Sequence, residues 1–500
     1  MNLWKYSDYH EVEVLSRSAN YSQVDIMNLV WQRFTLSYLP LREYLRTSYL
    51  HRSLVGLLRS WRQSSLLMQW GETIAAILLS LVYALAPFVS NDLLGLLLIG
   101  CAGFWLLLTL SDETTSNISS VTPIHLLVLL YWGIATVSTA LSPVKKAALT
   151  DLRNFTLYLL LFALCARVLR SQRLRYWLIT LYLHISLIVS VYGLRQWFFG
   201  APALATWVDP TSPFSKTTRV YSYLGNPNLL AGYLLAAVVL SLVAIFAWQS
   251  WFKKALALTM LVVNGACLIL TFSRGGWIGL VVAVLVLIGL LYYWWSPQMP
   301  VFWRTGLPWI LLASLTGIFV LALVFVEPVR ERFFSIFADR KDSSNNFRRN
   351  VWTAVFKMID DYPMTGIGPG HNAFNKIYPL YQLPRYSALS AYSIFLEITV
   401  ETGFVGLACF LWVLIVIFNT AFLQLQRLRE LKSVDGFWLM GAIATMAGML
   451  AHGLVDTVWY RPEVNTVWWL MVGLIACYYK PLSQGQTKEL NSPNPEPTAT

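Results

Sequence analysis

NLLAGYLLAAVVLSLVAIFAWQSWFKKALALTMLVVNGACLILTFSRGGWIGLVVAVLVLIGLLYYWW, residues 228–295, strings three long apolar runs together with only two short polar interruptions, around Lys253-Lys254 and around Ser273-Arg274. Each run is close to the ~20 residues that a helix needs to cross a hydrocarbon core of ~30 Å. None alternates polar and apolar positions as a strand does, and lipid leaves a spanning backbone no partners but its own, so the runs read as helices. A guanidinium at membrane depth costs several kcal/mol unless it is paired or wet. Arg274, at the break between the second and third runs, therefore marks a membrane face.

The same reading extended along the chain gives twelve candidate spans, roughly 72–90, 92–110, 121–141, 154–169, 176–193, 228–247, 254–272, 276–295, 308–326, 403–424, 437–455 and 464–479. The expected fold is thus all-α: a polytopic membrane bundle of about twelve helices with one large extracytoplasmic loop that itself contains a helix. Composition agrees. Of 500 residues, 57% are hydrophobic and 12% charged, half the charged share of about 25% usual in soluble domains. This excludes a soluble enzyme, a disordered regulator and a nucleic-acid binder. The net charge of +12 does not reopen the last class, because the Lys and Arg residues lie between apolar runs, as topology signals do. Cys101, Cys165, Cys267, Cys409 and Cys477 each fall in an apolar run without metal or disulfide spacing, and read as small buried hydrophobes.

Residues 1–71, the even-numbered loops and the tail together hold more basic residues than the short odd-numbered loops, which puts both termini in the cytoplasm of an inner, plasma-membrane protein. The inner loop SDETTSNISS, residues 111–120, has no basic residue and runs against the trend. Residues 1–71 mix Arg17, Arg33, Arg42, Arg46, Arg52, Arg59 and Arg62 with Trp31, Leu39, Leu41, Leu54 and Trp61. They read as one or two amphipathic helices on an anionic leaflet, broken at Pro40. The organisation is then a cytoplasmic segment 1–71, helices one to nine over 72–326, the outer loop domain 327–402, three more helices over 403–480, and a polar, Pro-rich tail 481–500 expected to be disordered.

Chemistry has four places to sit. In the outer loop, SSNNFRRNVWTAVFKMIDDYP reads as a capped helix with Phe347, Val351, Trp352, Val355 and Ile359 on one face and Arg348, Arg349 and Lys357 as polar-face candidates. MTGIGPGHNAF follows, where Gly366, Gly368 and Gly370 form either a tight turn or a nest of backbone N–H groups facing an anion. Second is Arg274, beside Gly275 and Gly276, which let backbone or ligand approach. Third is TTRVYSYLGNPNLLAGYLL: Arg219 precedes a turn in which Asn226 or Asn228 caps the next helix, whose N-terminus presents free N–H groups. Arg219, Arg274 and this helix start fall at one face and suit an oxyanion such as bicarbonate, phosphate or the pyrophosphate of a lipid carrier. Fourth, Glu397 and Glu401 share a helix face as coupling groups for a proton or cation, as counter-ions to the arginines, or as a structural pair. Asp456 and Arg461 read as a boundary ion pair. His125, His184 and His452 sit alone in spans as helix-contact residues, and His371 is the one histidine placed for outer-face chemistry. No Walker loop or dinucleotide fingerprint occurs, and no cofactor or metal is implied.

Four blocks in order, RVYSYLGNPNLLAGYL, SRGGWIGL, FRRNVWTAVFKMIDDYPMTGIGPGHNAF and SAYSIFLEITVETGFVG, resemble the O-antigen ligase and polymerase-like membrane family. Within it the chain looks most like the cyanobacterial IctB-type branch of inorganic-carbon transporters. The resemblance covers roughly residues 72–480. It implies that Arg219 and Arg274 occupy the positions whose arginines contact the pyrophosphate of a lipid-linked donor in the ligases. It also implies a His-Asn pair ahead of the turn at Gly403, but Tyr392 and Ser393 stand there. An unperturbed phenol titrates near 10 and is a poor base at neutral pH. That departure favours a bicarbonate transporter, in which Arg219 and Arg274 attract the anion. The alternative is a metal-independent glycan ligase or polymerase using a polyprenyl-pyrophosphate-linked sugar, with His371 standing in for the missing base. A third reading is a non-catalytic membrane partner. The bilayer is a partner in every case and nucleic acid in none.

Overall fold

The computed structural model describes residues 23–37, 39, 41–112, 121–202, 219–325, 327–334, 343–384 and 386–481. Every regular element among them is helical. The chain divides into two compact units, one formed by residues 1–41 with 480–500 and the other by 42–479. In the first, Gln23–Phe34 is a helix. The tail expected to be disordered, 481–500, lies almost wholly outside the described residues, as do Arg17 and Pro40.

The second unit is a bundle of α1 (Gly71–Leu85), α2 (Asn91–Ser111), α3 (Pro123–Leu141), α4 (Lys145–Val168), α5 (Gln172–Phe199), α6 (Pro227–Ala247), α7 (Trp251–Leu270), α8 (Arg274–Trp295), α9 (Val301–Phe325), α10 (Ser343–Asp361), α11 (His371–Ile377), α12 (Ile394–Glu430), α13 (Asp435–Gly453) and α14 (Pro462–Cys477). All twelve expected spans fall on helices. Eight of these, α2 to α8 and α12, are long and apolar enough to cross a membrane by length and composition; α1 and α14 are shorter apolar helices. The chain is a multi-pass membrane protein by this measure.

α6 is the centre. In its most apolar window 83% of residues are buried, against 28–50% in the other seven spans. A helix that is apolar all round belongs inside a bundle, and α6 packs on α7, α8 and α13. α8 and α13 approach so closely that a Cβ added at Gly279 would stand 2.7 Å from the Gly448 carbonyl oxygen. Such small-residue contacts let membrane helices pack without a hydrophobic driving force between them.

α4 starts at Lys145, well before the expected 154. Its first turns carry charge yet are packed, because Asp151 is buried and accepts from Asn372 N and Nδ2, both at 2.7 Å. α12 runs through the expected start of its span with Gly403 in a non-helical conformation (φ 69°, ψ −176°). The kink divides an upper piece, 394–402, from the apolar shaft.

Before α1 the chain forms short helices, Leu41–Thr47, Tyr49–Leu54, Arg59–Ser64 and Leu66–Gln69, rather than one or two long ones. Arg62 turns inward to Asp112, with Nη1 2.5 Å from Oδ1. Arg167 binds the same carboxylate and also Glu72, at 2.7 Å. Asp112 is the C-cap of α2, so the basic segment is fastened to the bundle through a shared, largely buried carboxylate. Removing one partner of such a network costs about 3–5 kcal/mol. All five cysteines are free and buried.

Candidate functional site

The opposite end of the bundle carries α10, the glycine turn and α11. Val351, Val355, Met358, Phe374, Tyr378 and Val400 form its core, with Phe374 and Tyr378 rings stacked at 5.0 Å. Each fully buried side chain of this kind contributes about 1.5–3 kcal/mol, enough to hold the segment as a folded cap on the helices.

Gly366, Gly368 and Gly370 all have positive φ, at 67°, 102° and 88°. A Cβ at Gly370 would lie 2.1 Å from the Asp151 Cβ, and one at Gly366 2.3 Å from the Glu401 carbonyl carbon. The N–H of Ile367 donates to the Val400 carbonyl at 2.9 Å and that of Gly368 to the Glu401 carbonyl at 3.0 Å. Their donors are spent on α12, so this stretch is a packing joint, and the anion nest is not formed by these two groups.

The arginines do converge. Arg219 donates Nε to the Thr271 carbonyl at 2.9 Å and Nη2 to Asn228 Oδ1 at 3.1 Å. Thr271 caps the C-terminus of α7, where the free carbonyls carry partial negative charge. Asn228 Nδ2 donates to Asp456 Oδ2 at 2.7 Å, so this one amide bridges a guanidinium and a carboxylate. Asn226 is the N-cap of α6 and accepts from Asn228 N at 2.8 Å. Arg274 is buried at the first position of α8, beneath Ser273, whose hydroxyl accepts from Gly276 N at 3.2 Å. Burial, then the nearby Arg274 and Arg348, hold the Arg219 guanidinium down to about 10, against the opposing pull of Asp456. It remains a cation at neutral pH.

Arg348 is the third cation, with Nη2 3.9 Å from Asp456 Oδ2. Arg349, its neighbour, points outward and is exposed. Asp456 therefore turns to Asn228 and Arg348 rather than to Arg461, whose guanidinium lies over the Tyr460 ring at 5.6 Å. His452 is fully buried, and a Cβ at Gly275 would sit 2.6 Å from its ring. Gly275 is the residue that lets His452 come up beneath Arg274. Neither ring nitrogen of His452 has a partner among the described residues, nor has Nε of Arg348. Buried orphan groups of this kind call for water or a ligand.

Tyr392 adopts φ 51° and packs edge-on against Phe347 at 5.4 Å. Burial, then Asp456 and Tyr460, push its phenol well up, so it stays protonated at neutral pH. His371 opens α11 beside Tyr460, with ring centroids 6.4 Å apart. Glu397 and Glu401 face a separate cavity together with Asp151 and His371, and not the arginines. From sequence alone Arg348 is one of three polar-face candidates, His452 a helix-contact residue and Asp456 the partner of Arg461; only the fold brings Arg348 and His452 to Asp456.

Three guanidiniums thus gather at one end of a multi-pass bundle whose described residues form helices and no strands. Residues 259–411 match the O-antigen ligase family, which supports an O-antigen ligase-like membrane protein. The match takes in Arg274, Arg348 and Tyr392 and ends before His452 and Asp456. No curated protein matches the chain.

Proposed function

We propose that the chain is a glycosyltransferase of the O-antigen ligase type. Its donor is a sugar linked to a polyprenyl pyrophosphate, bound at the extracytoplasmic face. The observation that carries the reading is the convergence of Arg274 and Arg348 on Arg219, with a single carboxylate, Asp456, beside Arg219 and Arg348. This surplus of positive charge suits a group bearing two or more negative charges, and charge-assisted bonds to phosphate oxygens are the strong ones. Bicarbonate carries one negative charge and needs less.

In the reaction, the bond from the sugar's anomeric carbon to the pyrophosphate oxygen breaks and its electron pair leaves with the pyrophosphate. An acceptor hydroxyl oxygen bonds to the anomeric carbon, and its proton passes to Asp456. The guanidiniums stabilise the charge that develops on the leaving group, which is where preorganised donors are worth most. Tyr392 takes no proton in this scheme.

The test is transfer from a polyprenyl-pyrophosphate-linked oligosaccharide by the purified protein in proteoliposomes. Transfer that falls at least a hundredfold in Arg274→Ala supports the reading. Labelled-bicarbonate uptake above that of empty vesicles, with no transfer and no binding of polyprenyl pyrophosphate, would replace it with the transporter.

A further inference from the structure

The end of the bundle remote from Arg219 holds a second group of cations. α5 is 28 residues long, about 42 Å at 1.5 Å per residue. Its last turns meet the first site, where Gln196 Oε1 accepts from Tyr221 N at 3.0 Å, and Arg175 stands near its other end. There the α4–α5 turn, the last turn of α12, the first turn of α13 and the end of α14 come together. Arg175 donates Nη1 to the Leu169 carbonyl at 2.8 Å and Nη2 to Asp435 Oδ2 at 2.7 Å. Its guanidinium carbon lies 4.6 Å from the centre of the Tyr478 ring. Arg427, in the last turn of α12, donates Nη2 to the Tyr478 carbonyl at 3.0 Å. Tyr478 therefore has one guanidinium on its ring and another on its backbone. Arg170 adds to the positive field at the neighbouring Cys477.

The carboxylate of this group is already committed. Asp435 gives Oδ2 to Arg175, and Oδ1 accepts from the Tyr176 hydroxyl at 3.0 Å. Glu430, the next acid along α12, is exposed. Arg427 has no ion-pair partner among the described residues, and burial is what acts on its charge. Donors are left over. Nε and Nη1 of Arg427, Nε of Arg175 and the hydroxyl of Tyr478 are all buried without a hydrogen-bond partner among the described residues. Arg175 is 4% exposed and Tyr478 6%. Buried donors find acceptors, and a cation at the end of a membrane helix needs water or an anion. Arg429, two residues on, shows the contrast: it lies 4.0 Å over the Tyr293 ring and donates Nη1 to the Tyr293 carbonyl at 2.9 Å. These helix ends lie at the depth of lipid headgroups, and basic pockets between membrane helices suit acidic ones. We infer that Arg427, Arg175 and Tyr478 hold the phosphate of an acidic phospholipid in the leaflet away from the first arginine site. The inference is independent of the function proposed above.

The experiment uses the full chain purified in a polyoxyethylene detergent. Retention of radiolabelled phosphatidylglycerol is compared with that of phosphatidylcholine with the same acyl chains, and inorganic phosphate is added as a competitor. Phosphatidylglycerol should be retained about tenfold more strongly, and about a hundredfold excess of inorganic phosphate should not displace it. Arg427→Gln should lower its retention about tenfold, the share of one hydrogen bond to a charged group. Arg429→Gln removes the same charge from the same helix end and should stay within about twofold. Tyr478→Phe deletes only a hydroxyl that has no partner and should lower retention about threefold; it decides the matter should Arg427→Gln melt early. Arg274→Ala, at the other end of the bundle, should leave retention unchanged. Equal retention of the two lipids, equal losses in Arg427→Gln and Arg429→Gln, wild-type retention in a folded Arg427→Gln, or loss in Arg274→Ala overturns the inference. Displacement by inorganic phosphate overturns the lipid as the source of the phosphate. Phosphatidylglycerol retention without any binding of polyprenyl pyrophosphate would strike the proposed transferase and leave this site standing.

Discussion

Asp456→Asn should improve donor binding while it weakens the fold, and the opposition of signs is what makes it informative. Asp456 sits 3.9 Å from Arg348 and 2.7 Å from the Asn228 amide nitrogen. Asparagine keeps the size and an acceptor oxygen, so the variant removes chiefly the charge. Two unit charges ~4 Å apart interact by about 4 kcal/mol at an effective dielectric constant of 20. No direct hydrogen bond joins Arg348 to Asp456 at that separation. The fold therefore loses less than the 3–5 kcal/mol of a broken buried pair, about 1–2 kcal/mol, read as a lower Tm in detergent. An arriving pyrophosphate meets three guanidiniums with no resident anion competing for them. A gain of about 1–2 kcal/mol makes binding roughly 5- to 30-fold tighter. The assay is direct binding of polyprenyl pyrophosphate at two ionic strengths, beside the transfer rate. Transfer should fall, since the variant cannot take the acceptor's proton. Weaker donor binding in Asp456→Asn would refute the argument that this cluster is an anion site. Tighter binding with unchanged transfer would refute only the proton's destination.

Arg348→Ala should weaken polyprenyl-pyrophosphate binding about 10- to 150-fold, the loss of a hydrogen bond to a charged group worth about 1.5–3 kcal/mol, whereas Arg349→Ala should stay within twofold in the same titration. Donor binding should be flat between pH 7.5 and 9 and decline above about 10, as Arg219, held down to about 10, loses its charge. Because that folded value lies below the unfolded one, the apo fold should gain stability from this group as pH rises through the same interval, the opposite sign; a pH series of binding and Tm separates the two. Gly370→Ala puts a methyl group 2.1 Å from Asp151 Cβ at φ 88°, and should cost more than ~3 kcal/mol in thermal stability. Gly100→Ala, in open space within α2, should change it by no more than about 1 kcal/mol in the stabilising direction.

The spans were legible because apolar runs of helical length have few other interpretations. Their margins were less so. The opening of α4, KKAALTDLRN, reads as a charged loop until Asn372 is known to satisfy Asp151, and that partner is more than two hundred residues away in sequence. The same holds for Arg62, which looks like one more lipid-facing arginine until Asp112 is found beside it. Arg219 and Arg274 were legible because both flank the ends of apolar runs. Arg348 could have been chosen over Arg349 on geometry alone. At about 100° per residue, Arg348 falls within roughly 50° of the centre of the face formed by Val351, Ala354, Val355, Met358 and Ile359, and Arg349 about 150° from it. A guanidinium on an apolar face has to find an anion. Nearness along the chain pairs Asp456 with Arg461, and spacing gives no hint of Asn228, which arrives from the start of another helix.

Gly366 and Gly403 interlock. A side chain on the first would run into the carbonyl of Glu401, and one on the second into the carbonyl carbon of Met364, at 2.2 Å. Each strand of backbone thus occupies the space the other residue gave up, and Phe404 N ties the pair shut on the Pro363 carbonyl at 2.8 Å. A clasp without slack is a poor pivot. If the cap over the arginines ever lifts to admit a bulky guest, its axis has to be sought elsewhere, along the turns after Tyr378, and stiffening this end should leave the rate of admission untouched.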